Sequence, residues 1–106
     1  MSDNPPHITE AEAVVLGPLW RLGPLTPARL MQEVKAVQPW ADTTIKTLLA
    51  RLARKRAVAA ERTDGVVRYR PLIARDAYVE AEVRALAERL FDGDEAALLV
   101  WLRARR

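Results

Sequence analysis

Apolar residues recur along this chain at helical spacing in three early blocks, then at strand spacing, then at helical spacing again. In the first block Val15, Leu16, Leu19 and Trp20 form the stripe. Ile8-Thr9-Glu10-Ala11-Glu12 opens it, and Thr9 with Glu12 reads as a capping box, each side chain satisfying the other's backbone amide. Pro18 removes one helical hydrogen bond at a cost of about 3 kcal/mol, so a kink or a last turn held by packing is expected there. Gly23-Pro24 ends the block. Thr26-Pro27 opens the second, with Thr as cap and Pro at the first helical position. Leu30, Met31 and Val34 form its apolar face, Val37 extends it and Pro39 stops it.

The third block, residues 42–56, carries Ile45, Leu48, Leu49 and Leu52 at i, i+3, i+4 and i+7, one stripe of an amphipathic helix. Two strand-like runs follow, 58–62 and 66–70, flanking Thr63-Asp64-Gly65. A three-residue loop ending in Gly suits a hairpin with a bulge. In the second run Val67 and Tyr69 alternate with Val66, Arg68 and Arg70, and Pro71 ends the ladder. A helix over 75–91 carries Val79, Val83, Leu86 and Leu90, with Tyr78 and Phe91 beside the stripe. Gly93 breaks it, and Asp94 caps a last helix bearing Ala97, Leu98, Trp101 and Leu102. Trp20 and Trp40 are expected in the core.

Composition narrows the chemistry. The 106 residues suit one domain and hardly two. With no cysteine and only His7, thiolate sites, disulfides and multi-histidine metal centres are excluded. There is no Gly-rich phosphate loop. Glu80 and Glu88 could be taken for a carboxylate dyad, but they sit on the 75–91 helix, whose apolar stripe is expected to serve as an interface. No enzyme, cofactor or metal is expected. No apolar run approaches the roughly 20 residues of a membrane span, and Met1-Ser2-Asp3-Asn4-Pro5-Pro6 lacks the regions of a signal peptide. A cytoplasmic protein without membrane insertion is the expectation.

The formal net charge is only +3, but it is unevenly spread. Residues 41–70 hold eight basic and three acidic side chains, whereas the stretches on either side are each at −1. A local basic block is what phosphate binding needs. On the third helix the face opposite the stripe carries Thr43, Thr44, Lys46, Thr47, Ala50, Arg51 and Arg54, with no acid after Asp42. An ordinary solvated face would mix Glu with Lys.

Three helices and then a hairpin is the element order of a winged helix-turn-helix. The chain is therefore expected to be mainly α with a small β-hairpin wing, followed by C-terminal dimerisation helices. Residues 1–7 would be a flexible arm, 8–72 the winged-helix DNA-binding domain and 73–106 the helical dimerisation region. In that geometry the third helix enters the major groove. Thr43, Thr44 and Thr47 can reach phosphates or base edges, and a Thr methyl can meet a thymine methyl. Lys46 and Arg51 can reach guanine edges or phosphates, Arg54 is counted with them among the DNA-binding residues, and Arg62, Arg68 and Arg70 on the wing can hold the flanking backbone or minor groove.

Several strings make the chain similar to the penicillinase-repressor family, the BlaI/MecI/CopY type. They are Ile8-Thr9-Glu10-Ala11-Glu12, Leu19-Trp20, Gly23-Pro24-Leu25-Thr26, Trp40, Thr44-Ile45-Lys46-Thr47-Leu48-Leu49-Ala50-Arg51-Leu52 and Tyr69-Arg70-Pro71-Leu72. The resemblance spans about residues 8–102. It implies a winged-helix repressor that dimerises through C-terminal helices and binds a DNA dyad. It puts Thr43, Thr44, Lys46, Thr47 and Arg51 at recognition-helix contact positions and Arg68 at a wing position. There are departures. Ala41-Asp42 stands where the family usually has Ser-Pro, so Asp42 is the expected cap. Gly17-Pro18 interrupts a regular helix, and Ala13 replaces a common Trp. Without cysteine, the copper-sensing mode is excluded. The resemblance brings in a regulatory sensor protease as partner, but Trp101-Leu102 replaces the Asn-Phe pair that such proteases cut.

The C-terminal helices carry more apolar side chains than a short domain can cover. Tyr78, Val79, Val83, Leu86, Leu90, Phe91, Leu98, Trp101 and Leu102 are the expected interface of a homodimer. The function expected is a homodimeric repressor occupying a palindromic operator in double-stranded DNA. The competing reading is a winged-helix protein-interaction module without sequence-specific DNA binding, which would have no need of an acid-free helix face. Single-stranded RNA readers use exposed aromatic platforms, and none is evident in the pattern.

Overall fold

The computed structural model describes residues 6–105. In chain order the elements are α1 (Glu10–Leu22), α2 (Pro27–Lys35), α3 (Asp42–Arg54), β1 (Val58–Thr63), β2 (Val66–Pro71), α4 (Arg75–Phe91) and α5 (Glu95–Ala104). The chain divides into two compact units, the first ending at Ala74 and the second starting at Arg75. Residues 1–5 of the expected arm lie outside the described residues. At the end of that arm, the His7 carbonyl accepts a hydrogen bond from Lys55 Nζ at 2.8 Å, and Ile8 is buried.

In the first unit α1, α2 and α3 pack together and the hairpin closes against them. The capping box forms: Glu12 N donates to Thr9 Oγ1 at 3.2 Å, and Thr9 N donates to Glu12 Oε1 at 2.9 Å. α1 runs unbroken through Pro18, which is itself buried, with Leu16 and Leu19 buried on either side. Packing holds the last turn where one backbone bond is missing. Thr26 caps α2 by accepting from Arg29 N at 3.2 Å. Leu30 and Val34 are buried, but Val37 lies beyond the helix end and is 59% exposed, so it does not extend the apolar face. All four predicted stripe residues of α3 are buried. Trp20 and Trp40 are partly buried rather than enclosed. Trp20 Nε1 donates to the Ile73 carbonyl at 2.9 Å, which fixes the chain just beyond the hairpin.

α3 ends in a Schellman motif. Ala57 N donates to Leu52 O at 2.9 Å and Arg56 N to Ala53 O at 3.0 Å. Arg56 takes the left-handed position, φ 60°, that usually falls to glycine. One further contact closes the three-helix core. Lys55 Nζ donates to Glu12 Oε1 at 2.6 Å, and Glu12 is only 1% exposed.

The hairpin differs from expectation in its turn. Thr63 pairs with Val66, so the loop is Asp64-Gly65 alone. Both residues have positive φ, 52° and 77°, as a type I′ turn requires, and there is no three-residue bulged loop. On its outer edge β2 exchanges two backbone bonds with Leu25: Tyr69 N to Leu25 O at 2.7 Å and Leu25 N to Tyr69 O at 3.0 Å.

The second unit is α4 packed with α5. Asp92 and Gly93 turn the chain with positive φ, and Asp94 caps α5 by accepting from Ala97 N at 3.0 Å. Among the described residues no helix is long and apolar enough to cross a membrane.

Candidate nucleic-acid interface

The outer face of α3 is open. Thr43, Thr44, Lys46, Thr47, Arg51 and Arg54 are all exposed. At 100° per residue Thr43, Thr47 and Arg54 fall in one line opposite the buried stripe, with Lys46 and Arg51 on its two flanks. Thr43, Thr44, Thr47, Leu48 and Arg51 line a shallow cleft of about 260 Å³, with the buried Leu48 at its floor. Thr47 Oγ1 donates to the Thr43 carbonyl at 2.9 Å. Its proton is thus committed to the backbone, leaving the oxygen lone pairs and the methyl for a ligand.

The expected cap at Asp42 is not made. Ala41 occupies the cap position, and no side chain caps the helix. Asp42 is instead the first helical residue and ion-pairs with Lys35 at the end of α2. Hydrogen bonding and charge from Lys35 hold its carboxyl below the usual aspartate range. A carboxylate in the first turn also suits the positive end of the helix. The one acid on α3 is therefore neutralised from the side, and the face beyond it is cationic.

The wing arginines do not all share one face. Arg62 opposes Val67 and so shares a face with Val67 and Tyr69. Arg68 opposes Glu61 on the other face, and there Glu61 is ion-paired with Arg70. Arg62 makes a long hydrogen bond, 3.5 Å, to the Gly65 carbonyl. Among the described residues, Lys46, Arg51, Arg54, Arg62 and Arg68 have no carboxylate within salt-bridge distance. Lys55, a member of the basic block in the sequence, is withdrawn from this surface by its bond to Glu12.

Of the residues expected at a dimer interface, Val79, Val83, Leu90, Trp101 and Leu102 are exposed. Tyr78, Leu86 and Phe91 are partly buried, and Leu98 is buried already in the single chain. Two residues outside the expected set, Leu99 and Val100, are also exposed, Val100 at 66%. The signal for them was the run from Leu98 to Leu102: five consecutive apolar residues wrap right round a helix. Arg105 lies over the Trp101 ring, 5.3 Å from its centroid. Glu80 is paired with Arg84 at 2.8 Å as an ordinary i,i+4 bridge. Among the described residues no group of three or more His, Asp or Glu could hold a metal ion.

Comparison with known proteins agrees with this geometry. The profile of the family described as penicillinase repressor matches residues 8–106. The penicillinase repressor of Bacillus licheniformis is 27% identical over 88 residues, covering 83% of this chain and 69% of that protein. The transcriptional regulator BlaI of Mycobacterium tuberculosis is 37% identical over 96 residues, covering 89% and 70%. The solution structure of monomeric Bacillus licheniformis BlaI in complex with the blaP half-operator superposes with a TM-score of 0.63. That match has 28% identity and covers 70% of this chain and 90% of that one. With three helices, a hairpin wing and a family match over nearly its whole length, the chain belongs to the penicillinase repressor family of winged-helix transcriptional regulators, which are not enzymes.

Proposed function

We propose that the protein is a homodimeric repressor that occupies a palindromic promoter operator and so excludes polymerase. The observation that carries this reading is the exposed face of α3, rich in hydroxyls and bases, whose single acid is neutralised by Lys35. In the proposed complex α3 lies in the major groove. Thr43, Thr44 and Thr47 meet base edges and phosphates, and Lys46, Arg51 and Arg54 meet guanine edges or phosphates. Arg62 and Arg68 supply cationic contacts from the wing. The similarity to BlaI bound to a half-operator supports the reading.

Residues 8–72 would form the DNA-binding domain and 73–106 the dimerisation region, after an arm at 1–7. The exposed apolar residues of α4 and α5 support pairing across a two-fold axis. Such a dimer sets its two recognition helices about 34 Å apart, one DNA turn, or a multiple of it. The site of action would be the nucleoid in the cytoplasm. A regulatory sensor protease, the partner the family resemblance brings in, would have to cut at a bond other than Trp101-Leu102, which stands where the resemblance puts an Asn-Phe pair.

The test is binding of the purified protein to the DNA upstream of its own gene, against random DNA of equal length, at several salt concentrations. Two protomers per specific site, with affinity falling steeply as salt rises, is the expected result. Equal weak binding to both would overturn the reading and favour a protein-interaction module.

A further inference from the structure

Asp42 is the first residue of α3, and Lys46 follows it by one helical turn. Side chains at i and i+4 are neighbours on a helix surface, with Cβ atoms about 5–6 Å apart. Both residues are exposed, so an acceptor and a donor stand side by side on one flank of the open face. The Asp42 carboxylate is tied at Oδ1 to Lys35 of α2. Among the described residues Lys35 is its one ion-pair partner, and the lone pairs of Oδ2 remain for a ligand. Lys35 also makes an acid tolerable here. A bare carboxylate is repelled by phosphates, whereas the Lys35–Asp42 pair carries no net charge.

The chemistry of base edges selects what such a pair can read. In the major groove cytosine presents an amino donor at N4, and guanine presents two acceptors, O6 and N7. Thymine presents an acceptor, and adenine sets an acceptor beside its donor. A carboxylate only accepts and so suits cytosine, whereas an ammonium only donates and so suits guanine. One C·G pair offers both partners on a single edge. We propose that Asp42 and Lys46 read one C·G base pair of the bound duplex as a unit, Asp42 accepting from cytosine N4 and Lys46 donating to guanine O6 or N7. Lys35 is the positioning residue that holds the carboxylate and cancels its charge. The inference rests on the DNA-binding reading and gives that site a base preference. Asp42 stands where the family pattern has Pro, which offers no side-chain acceptor, so the preference is this chain's own.

The experiment uses the full chain and duplexes enriched from a random-sequence pool for tight binding. At one C·G pair of the selected duplex, the cytosine is replaced by 2-pyrimidinone, which lacks the N4 amino group. The unaltered protein should then bind about tenfold more weakly. Asp42→Ala should show no such step and should keep its preferences at the other pairs. Replacing the guanine of the same pair by 7-deazaguanine should weaken the unaltered protein and leave Lys46→Ala unaffected. Asp42→Asn, whose amide suits adenine N6 and N7, should shift enrichment at this pair from C to A. Lys35→Met should weaken binding to selected and random duplexes alike, and adding Asp42→Ala should restore the affinity for random DNA. All these side chains are exposed, and the variants should keep their helix content by circular dichroism. A 2-pyrimidinone step as large in Asp42→Ala as in the unaltered protein, or an unchanged preference for C in Asp42→Asn, would overturn the paired reading and leave the repressor reading standing. Enrichment of no sequence by the unaltered protein would overturn both.

Discussion

Lys55 Nζ lies 2.6 Å from Glu12 Oε1, joining the C-terminal end of α3 to the first turn of α1 across 43 residues of sequence. The same oxygen accepts from Thr9 N, and the same ammonium donates to the His7 carbonyl. One ion pair thus serves a helix cap, a helix–helix contact and the entry of the chain. Losing the lysine leaves a buried carboxylate without its cation. Because Lys55 is 31% exposed, water can replace part of what is lost. Lys55→Ala should therefore cost about 2 kcal/mol, below the 3–5 kcal/mol of a fully buried pair. Thermal or urea unfolding reads this directly, and an unchanged midpoint would contradict it.

The pair also predicts an acid response. Burial alone would raise the Glu12 carboxyl. The hydrogen bond and charge of Lys55, with the Thr9 amide, outweigh burial and hold the pKa below the ordinary glutamate range. A group with a depressed folded-state pKa binds protons more readily when unfolded. Its stabilisation is complete above the unfolded value of about 4.3 and drains away as pH falls through the lower folded value. The unfolding midpoint of the unaltered protein should drop more between neutral pH and this acid range than that of Glu12→Gln. Parallel pH profiles would refute the assignment.

Arg56 pays the steric cost of a left-handed residue at φ 60°, with its side chain exposed. Glycine takes that conformation freely. Arg56→Gly should stabilise the fold by about 1 kcal/mol, measured by urea denaturation. A loss of stability would mean that the side chain has a role its exposure does not suggest.

Thr47 separates two ways of reading DNA. Its hydroxyl proton is held by the Thr43 carbonyl, so the methyl is what it offers to a thymine. Thr47→Val should keep discrimination between selected and random DNA. Thr47→Ala should relax it by about 1–3 kcal/mol. If both variants lose it equally, the oxygen makes the contact.

In α5, Val100 is the most exposed of the large apolar residues. The proposed dimer should sediment at twice the chain mass, and Val100→Glu should yield monomers that retain their helix content by circular dichroism. A monomeric unaltered protein at micromolar concentration would remove the dimer.

The helices were legible in the sequence because Ile45, Leu48, Leu49 and Leu52 report their own burial by spacing, and because Thr9 and Thr26 announce helix starts locally. Lys55 was not legible. Between Arg54 and Arg56 it is one more base, and only its distant partner distinguishes it. The wing failed more subtly. A three-residue loop would pair Arg62 with Val66, whereas the observed two-residue turn pairs it with Val67. One residue of register reverses the face of every side chain on the strand. The identity of the wing arginines could thus be read, but which of them shares a side with α3 could not. Asp42 suits a cap by residue type, but Lys35 competes for the same carboxylate.

The two backbone bonds between Leu25 and Tyr69 have a mechanical consequence. They anchor the root of the hairpin to the segment that launches α2, so the wing cannot swing independently of the helices. For a DNA-binding protein, that makes the distance from groove-reading helix to wing a property of the protein alone, and adjustment falls to the nucleic acid. Base steps lying between the two contacts then influence affinity through their stiffness, at positions no side chain touches.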